Sequence, residues 1–298
     1  MAWITDDLLT AIQNSQMFPN ASANSLSNDA FMQFATEELY ITLLPMIQCI
    51  REKYYETYID TAYSTSTPSL TIPQRAIGQT LSSVQYIMQF NIRSLNPIDP
   101  GTISTTQGCN EPTSFYFQNN SIVFYPPPLA TQGTLRMRYF QRPNRLTMSS
   151  NCAQITAFNS GTGVVSCNAL SSWTSSTKFD FIPQYASQAT PYNLNSSSTL
   201  ILPGTSMTFS FTSDQAALVN VGDWISVSEY TCVPEIPFEL QSVLIQATCI
   251  RGLAALNDQT ALPGAMTTLE KYIENATKLL KPRDIGGNKI VASNWRRL

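Results

Sequence analysis

Apolar residues recur with a helical period at both ends of the chain and with a period of two through its long middle. From Thr5 to about Tyr58 the spacing is helical: Thr5 caps a short segment reaching Asn14, a loop with Pro19 follows, and Asn28 or Asp29 opens a longer run. In that run Ala35, Leu39, Leu43, Met46 and Ile50 fall on one helical face. Pro45 lies inside it and predicts a kink or break near position 44, because proline lacks the amide hydrogen and its ring clashes with the carbonyl four residues back. Helical spacing returns at Pro234. Pro237 suits a first helical position, and Leu240, Val243, Leu244 and Ala247 follow the i, i+3, i+4, i+7 pattern. A further helix from near Pro263 is expected to turn Met266, Leu269, Ile273, Ala276 and Leu280 inward, the short Asn257 to Thr260 link making an antiparallel helical hairpin that ends at Lys281-Pro282.

Between these ends, from about Thr57 to Val233, alternation points to strands. Phe115 to Tyr125 reads as a hairpin around Asn119-Asn120, since asparagine tolerates the left-handed backbone of a tight turn. Pro126-Pro127-Pro128 stops the pairing. Thr134 to Gln141 forms another strand, with Leu135, Met137 and Tyr139 on one face and Arg136, Arg138 and Phe140 on the other. Residues 146–213 carry only two charges, Lys178 and Asp180, yet keep apolar alternations such as Met207 to Phe211. Disorder needs low hydrophobicity and high charge, so this stretch predicts a small antiparallel sandwich or barrel ending near Val221 to Val227. With so little charge against edge pairing, it must be closed or covered.

Composition narrows the function. The 298 residues include no histidine and only 12% charged residues, against about 25% in an ordinary soluble domain. Without imidazole, Ser-His-Asp and Cys-His nucleophile systems, His-ligated zinc and histidine pH switches are excluded. Six widely spaced cysteines form no CxxC pair and read as small apolar core residues. No apolar run reaches membrane-spanning length, and Asp6-Asp7 stands where a secretory signal would be basic, so the chain is expected to be made and kept in a cytoplasm. The net charge of −3 hides a polarity: residues 1–60 hold eight acids against Arg51 and Lys53, whereas residues 271–298 hold seven bases against Glu274 and Asp284. Solvated helix faces and head-to-tail complementarity both account for it.

Candidate chemistry is sparse. Gly161-Thr162-Gly163 lacks the third glycine of a phosphate loop and reads as a hairpin turn. Asp6-Asp7 suits a helix start, Glu37-Glu38 a solvated helix face, and Asp223 a turn. No catalytic group, cofactor or metal is expected. Arg136, Arg138, Arg142 and Arg145, interleaved with Tyr139 and Phe140, are the candidates for polyanion contact, the plainer reading being pairing with helix acids such as Glu37 or Glu52. Residues 283–298 read as an extended arm with Ile290, Val291, Trp295 and Leu298 apolar enough to dock. Trp173, Tyr185 and Tyr192 in the low-charge zone leave a carbohydrate-binding β module as a minor alternative.

Several stretches in order, Glu37-Glu38 through Pro45 to Arg51-Glu52, Ile72-Pro73 with Arg75-Ala76-Ile77-Gly78, Ser121 to Pro126, Leu135 to Tyr139, Ile236 to Leu240, and Leu279 to Arg283 leading into Lys289-Ile290-Val291, resemble the head-to-tail connector (adaptor) proteins of tailed bacteriophages. The resemblance implies a virion structural protein rather than an enzyme. It implies a homo-oligomeric, usually dodecameric ring in the neck of the particle, with portal and tail or nozzle proteins as partners, no membrane, and at most non-specific contact with passing DNA. Its docking arm would comprise Lys281, Arg283, Lys289, Ile290, Val291, Trp295, Arg296 and Arg297. The expected fold is α+β. Residues 1–60 and 234–282 build a helical bundle, 61–145 a strand region and 146–233 the low-charge β insert, with 283–298 as the arm. Another virion component, such as a tail-tube, collar or capsid-decorating protein, is the alternative.

Overall fold

A computed structural model describes residues 3–15, 26–64, 68–88, 91–103, 111–127, 133–184 and 191–281. In chain order it begins with helices α1 (Thr5–Gln13) and α2 (Asn28–Glu38), a π-helical turn (Leu39–Leu43) and α3 (Leu44–Ile50). Strands follow: β1 (Glu56–Ala62), β2 (Ser69–Thr71), β3 (Ser83–Met88), β4 (Asn91–Pro97), β5 (Ser114–Gln118), β6 (Ser121–Tyr125), β7 (Thr134–Phe140) and β8 (Arg145–Leu146). Next come β9 (Ala153–Asn159), β10 (Val164–Cys167), β11 (Lys178–Ile182), β12 (Tyr192–Leu202) and β13 (Ser206–Phe209). Helix α4 (Ser213–Leu218), β14 (Trp224–Val227), β15 (Tyr230–Thr231), α5 (Gln241–Ala255) and α6 (Leu262–Leu280) complete it.

The fold is α+β, with helices from both ends sharing one core. Leu8, Ile12, Phe31, Ala35, Leu39 and Leu43 pack with Leu240, Val243, Leu244 and Leu253, all fully buried, and burying each larger side chain is worth about 1.5–3 kcal/mol. The break expected near position 44 is a π turn. The Leu44 N–H bonds to the Leu39 carbonyl, five residues back, and the wider turn gives the Pro45 ring room. Two local expectations change. Thr5 is not the cap of α1: the Ile4 N–H donates to Asp7 at 3.1 Å, while the Thr5 hydroxyl is buried and donates to the Thr147 carbonyl. Met266 is not inward: it is 49% exposed, and Ala265 holds the buried position where α6 meets α5. There the Gln246 side-chain amide donates to the Ala265 carbonyl, and a close approach of helices favours the smaller residue.

Seven strands form one sheet in the order β1-β7-β3-β4-β5-β6-β2, antiparallel except for the β4–β5 pair. Strand β7 alternates as expected, Leu135, Met137 and Tyr139 buried, and Asn119 turns the β5–β6 hairpin with φ 54°. The low-charge stretch closes into a six-stranded barrel, β10-β13-β12-β11-β14-β9. Closure removes the sheet edges that its composition leaves unprotected. Phe179, Phe181, Phe209 and Trp173 fill it with edge-on ring contacts. Trp173 is therefore core, and the Tyr192 hydroxyl is bound to Asp223 at 2.5 Å, so these two rings form no carbohydrate platform; Tyr185 lies outside the described residues. Of the cysteines, 152, 167, 232 and 249 are buried as expected, Cys49 is exposed, and Cys109 lies outside the described residues.

Candidate functional site

Two arrangements stand out, an arginine face on the sheet and a buried polar junction beneath it. On the sheet, Arg136 of β7 lies directly opposite Asp60 of β1, and its guanidinium makes a bidentate pair with that carboxylate, both bonds 2.8 Å. The same guanidinium stacks 4.0 Å from the centre of the Tyr58 ring, a favourable cation–π distance. Arg138 lies 4.0 Å from Glu56 and bonds Gln85. The partners of these arginines are thus neighbouring strand acids and not the helix acids Glu37 or Glu52, because cross-strand opposition brings Asp60 and Glu56 within reach first. Glu37 and Glu38 both hold Arg251 of α5, fastening the amino-terminal helix to the carboxy-terminal one; of the pair expected on a solvated face, Glu37 stays partly exposed and Glu38 is buried.

The junction lies where bundle, sheet and barrel meet. Asp180 of β11, fully buried, accepts five bonds: from Arg75 (2.6 Å), Asn144 (3.0 Å), Ser228 (3.3 Å) and the backbone N–H groups of Asn195 (3.0 Å) and Glu229 (2.8 Å). Breaking a buried pair of this kind costs about 3–5 kcal/mol, since it strands the remaining charge. Next to it Glu235 accepts from the Asn144 N–H at 3.2 Å, and its second oxygen has no hydrogen-bond partner. Burial holds the Glu235 carboxyl well above the usual carboxylate range, reinforced by the Asp180 charge and outweighing the Asn144 N–H and Arg75. Tyr55, also buried, donates to the Glu235 carbonyl at 2.8 Å. Nearby Tyr40 donates to the Pro143 carbonyl at 3.0 Å, its hydroxyl pushed up to about 12 by burial.

Sequence comparison places this architecture. The family model for the SU10 adaptor protein matches residues 3–165, more than half of the chain. The chain belongs to the SU10 adaptor protein family. The comparison with curated proteins found no match. Membership agrees with the phage adaptor resemblance and makes the chain a structural protein of a bacteriophage, one that works with other virion proteins. The adaptor match spans α1 to α3, the whole seven-stranded sheet with Arg136, Arg138, Arg142 and Arg145, and the first strand of the barrel.

Within this adaptor the four arginines divide. Arg136 and Arg138 face acids on β1, whereas Arg142 and Arg145 are exposed, form no ion pair with a described residue, and line a separate cavity. Of the arm residues, Lys281 is exposed at the end of α6; Arg283, Lys289, Ile290, Val291, Trp295, Arg296 and Arg297 lie outside the described residues. Among the described residues no cluster could hold a metal ion, and no helix is long and apolar enough to cross a membrane. Sequence reasoning missed Arg75, Asp180 and Glu235 as a unit. The available signal was Asp180 itself, one of two charges in a stretch otherwise free of them.

Proposed function

We propose that the protein is a head-to-tail adaptor whose subunits form a dodecameric ring beneath the portal and link it to the tail. The observation that carries this reading is the family match across the amino-terminal helices and the seven-stranded sheet. Exposed apolar side chains support it: Phe238 is 76% exposed, Leu279 68% and Ile41 64%. An assembly can cover apolar groups of this size, each contributing in proportion to the apolar area removed from water. The arm, residues 283–298, combines basic residues with Ile290, Val291 and Trp295, a composition suited to docking by strand addition or groove insertion on the portal or a neighbouring subunit. Arg136, matched by Asp60, carries little free charge. Residual phosphate contact from this face would be weak and blind to base sequence.

The test is co-sedimentation of the full chain with a purified portal ring beside a chain lacking residues 283–298. The full chain is expected to travel with the portal. The truncated chain should keep its melting temperature and lose most of its portal affinity. Equal portal affinity of the two would refute the docking arm, and absence of any portal association would refute the adaptor role.

A further inference from the structure

Three arginines from two stretches of chain, Arg75 from one and Arg142 with Arg145 from the other, converge beside the junction, and backbone bonds set their approach. The Arg142 N–H donates to the Arg75 carbonyl at 2.8 Å, and the Arg145 N–H to the Glu229 carbonyl at 2.8 Å. With Tyr40, Asn144 and Glu229, these arginines line a cavity of about 60 Å³. One water needs roughly 10–15 Å³ on this measure, so the space admits a group of a few heavy atoms and excludes a nucleotide. The rim is fixed on its helical side as well, where Tyr40 is anchored to the Pro143 carbonyl.

Charge in this cavity does not balance. The Arg75 guanidinium is matched by Asp180 at 2.6 Å. That leaves one acid, Glu229, against Arg142 and Arg145, and no ion pair joins either arginine to it or to another described residue. Arg75 is itself 7% exposed, and its buried Nε–H has no hydrogen-bond partner. A buried charged donor left unbonded is costly, and native proteins rarely tolerate one without a use for it. Glu229, on the same lining, sits at φ 73°, and its N–H donates to Asp180 at 2.8 Å.

We propose that this cavity receives a single small oxyanion, a carboxylate or a phosphate group, bound by Arg142 and Arg145 with Arg75 as the buried third donor. Guanidinium forks match the paired oxygens of both groups, and bonds of this charge-assisted kind are the strong ones. The small volume sets this apart from contact with a DNA strand. The oxyanion has two sources, a free ion such as inorganic phosphate or a carboxylate presented by another chain. The inference stands independently of the adaptor reading.

Calorimetric titration of the full chain at constant ionic strength, with inorganic phosphate and separately with acetate, tests it. Saturable one-to-one binding of at least one is expected, phosphate alone pointing to the free ion and acetate to a presented carboxylate. An Arg142→Gln/Arg145→Gln double variant should weaken that binding by about tenfold or more, as loss of charge-assisted bonds requires. Both residues are exposed, so the variant should fold, which its melting curve checks. Arg136→Gln, on the paired face, should leave binding unchanged. Failure of both ions to saturate, or equal binding by the double variant, would overturn the proposal.

Discussion

Glu235 is enclosed on every side, with one oxygen bonded to the Asn144 N–H and the other unbonded, and its carboxyl keeps its proton well above the usual range. The unfolded chain releases that proton near pH 4.3, a typical glutamate value of about 4.3. Above that pH the native state binds more protons than the unfolded state, so this group's contribution, fully present at lower pH, is lost as pH rises toward the folded value. Glu235→Gln removes the titration. The variant is expected to match the parent in melting temperature near pH 4 and to gain on it steadily as pH rises, by about 1.4 kcal/mol for each unit separating folded and unfolded values. Parallel pH profiles would contradict this. None of it was legible in the sequence, where nothing sets Glu235 apart and its neighbours Asp180 and Asn144 lie 55 and 91 positions away. Periodicity reports which face a residue occupies, not which distant partner it meets.

Elements were read more reliably than contacts, because a period of 3.6 or two reports burial directly. The faces of α2, α5 and β7 follow the pattern, and so do the Asn119 hairpin and the β-rich character of 146–227. The errors have physical causes. Met266 lies one position from Ala265 on α6, and hydrophobicity alone favoured the larger residue over the one that fits between helices. Thr5 carries a good capping side chain, but its hydroxyl is committed to Thr147. Gly161-Thr162-Gly163 is the hairpin turn expected of it, and the structure adds why Gly163 must be glycine: φ is +67°, and a Cβ there would lie 2.0 Å from the Phe209 carbonyl oxygen. Gly163→Ala is expected to cost at least about 2 kcal/mol by lifting β13 from β10. A denaturant midpoint unchanged from the parent would refute that requirement.

At the scale of the molecule, most acids of the amino-terminal end are engaged inside the subunit. Glu37 and Glu38 clamp Arg251, Asp60 holds Arg136, Asp7 caps α1 and Asp6 binds Ser149. The acidic end thus ties helix to helix and strand to strand, and the case for assembly rests on family membership, exposed apolar groups and the composition of residues 283–298. The scarcity of charge between them is answered by closure of the barrel, which removes free sheet edges. The subunit then presents a few apolar positions and a basic arm to its partners. The most direct measurement is a cryo-microscopy image of the intact phage particle with this chain located in it. A single ring of subunits in the neck, seated between portal and tail with residues 283–298 against the portal or the next subunit, is the predicted result; density for the chain along the tail tube or on the capsid surface, with none in the neck, would contradict it.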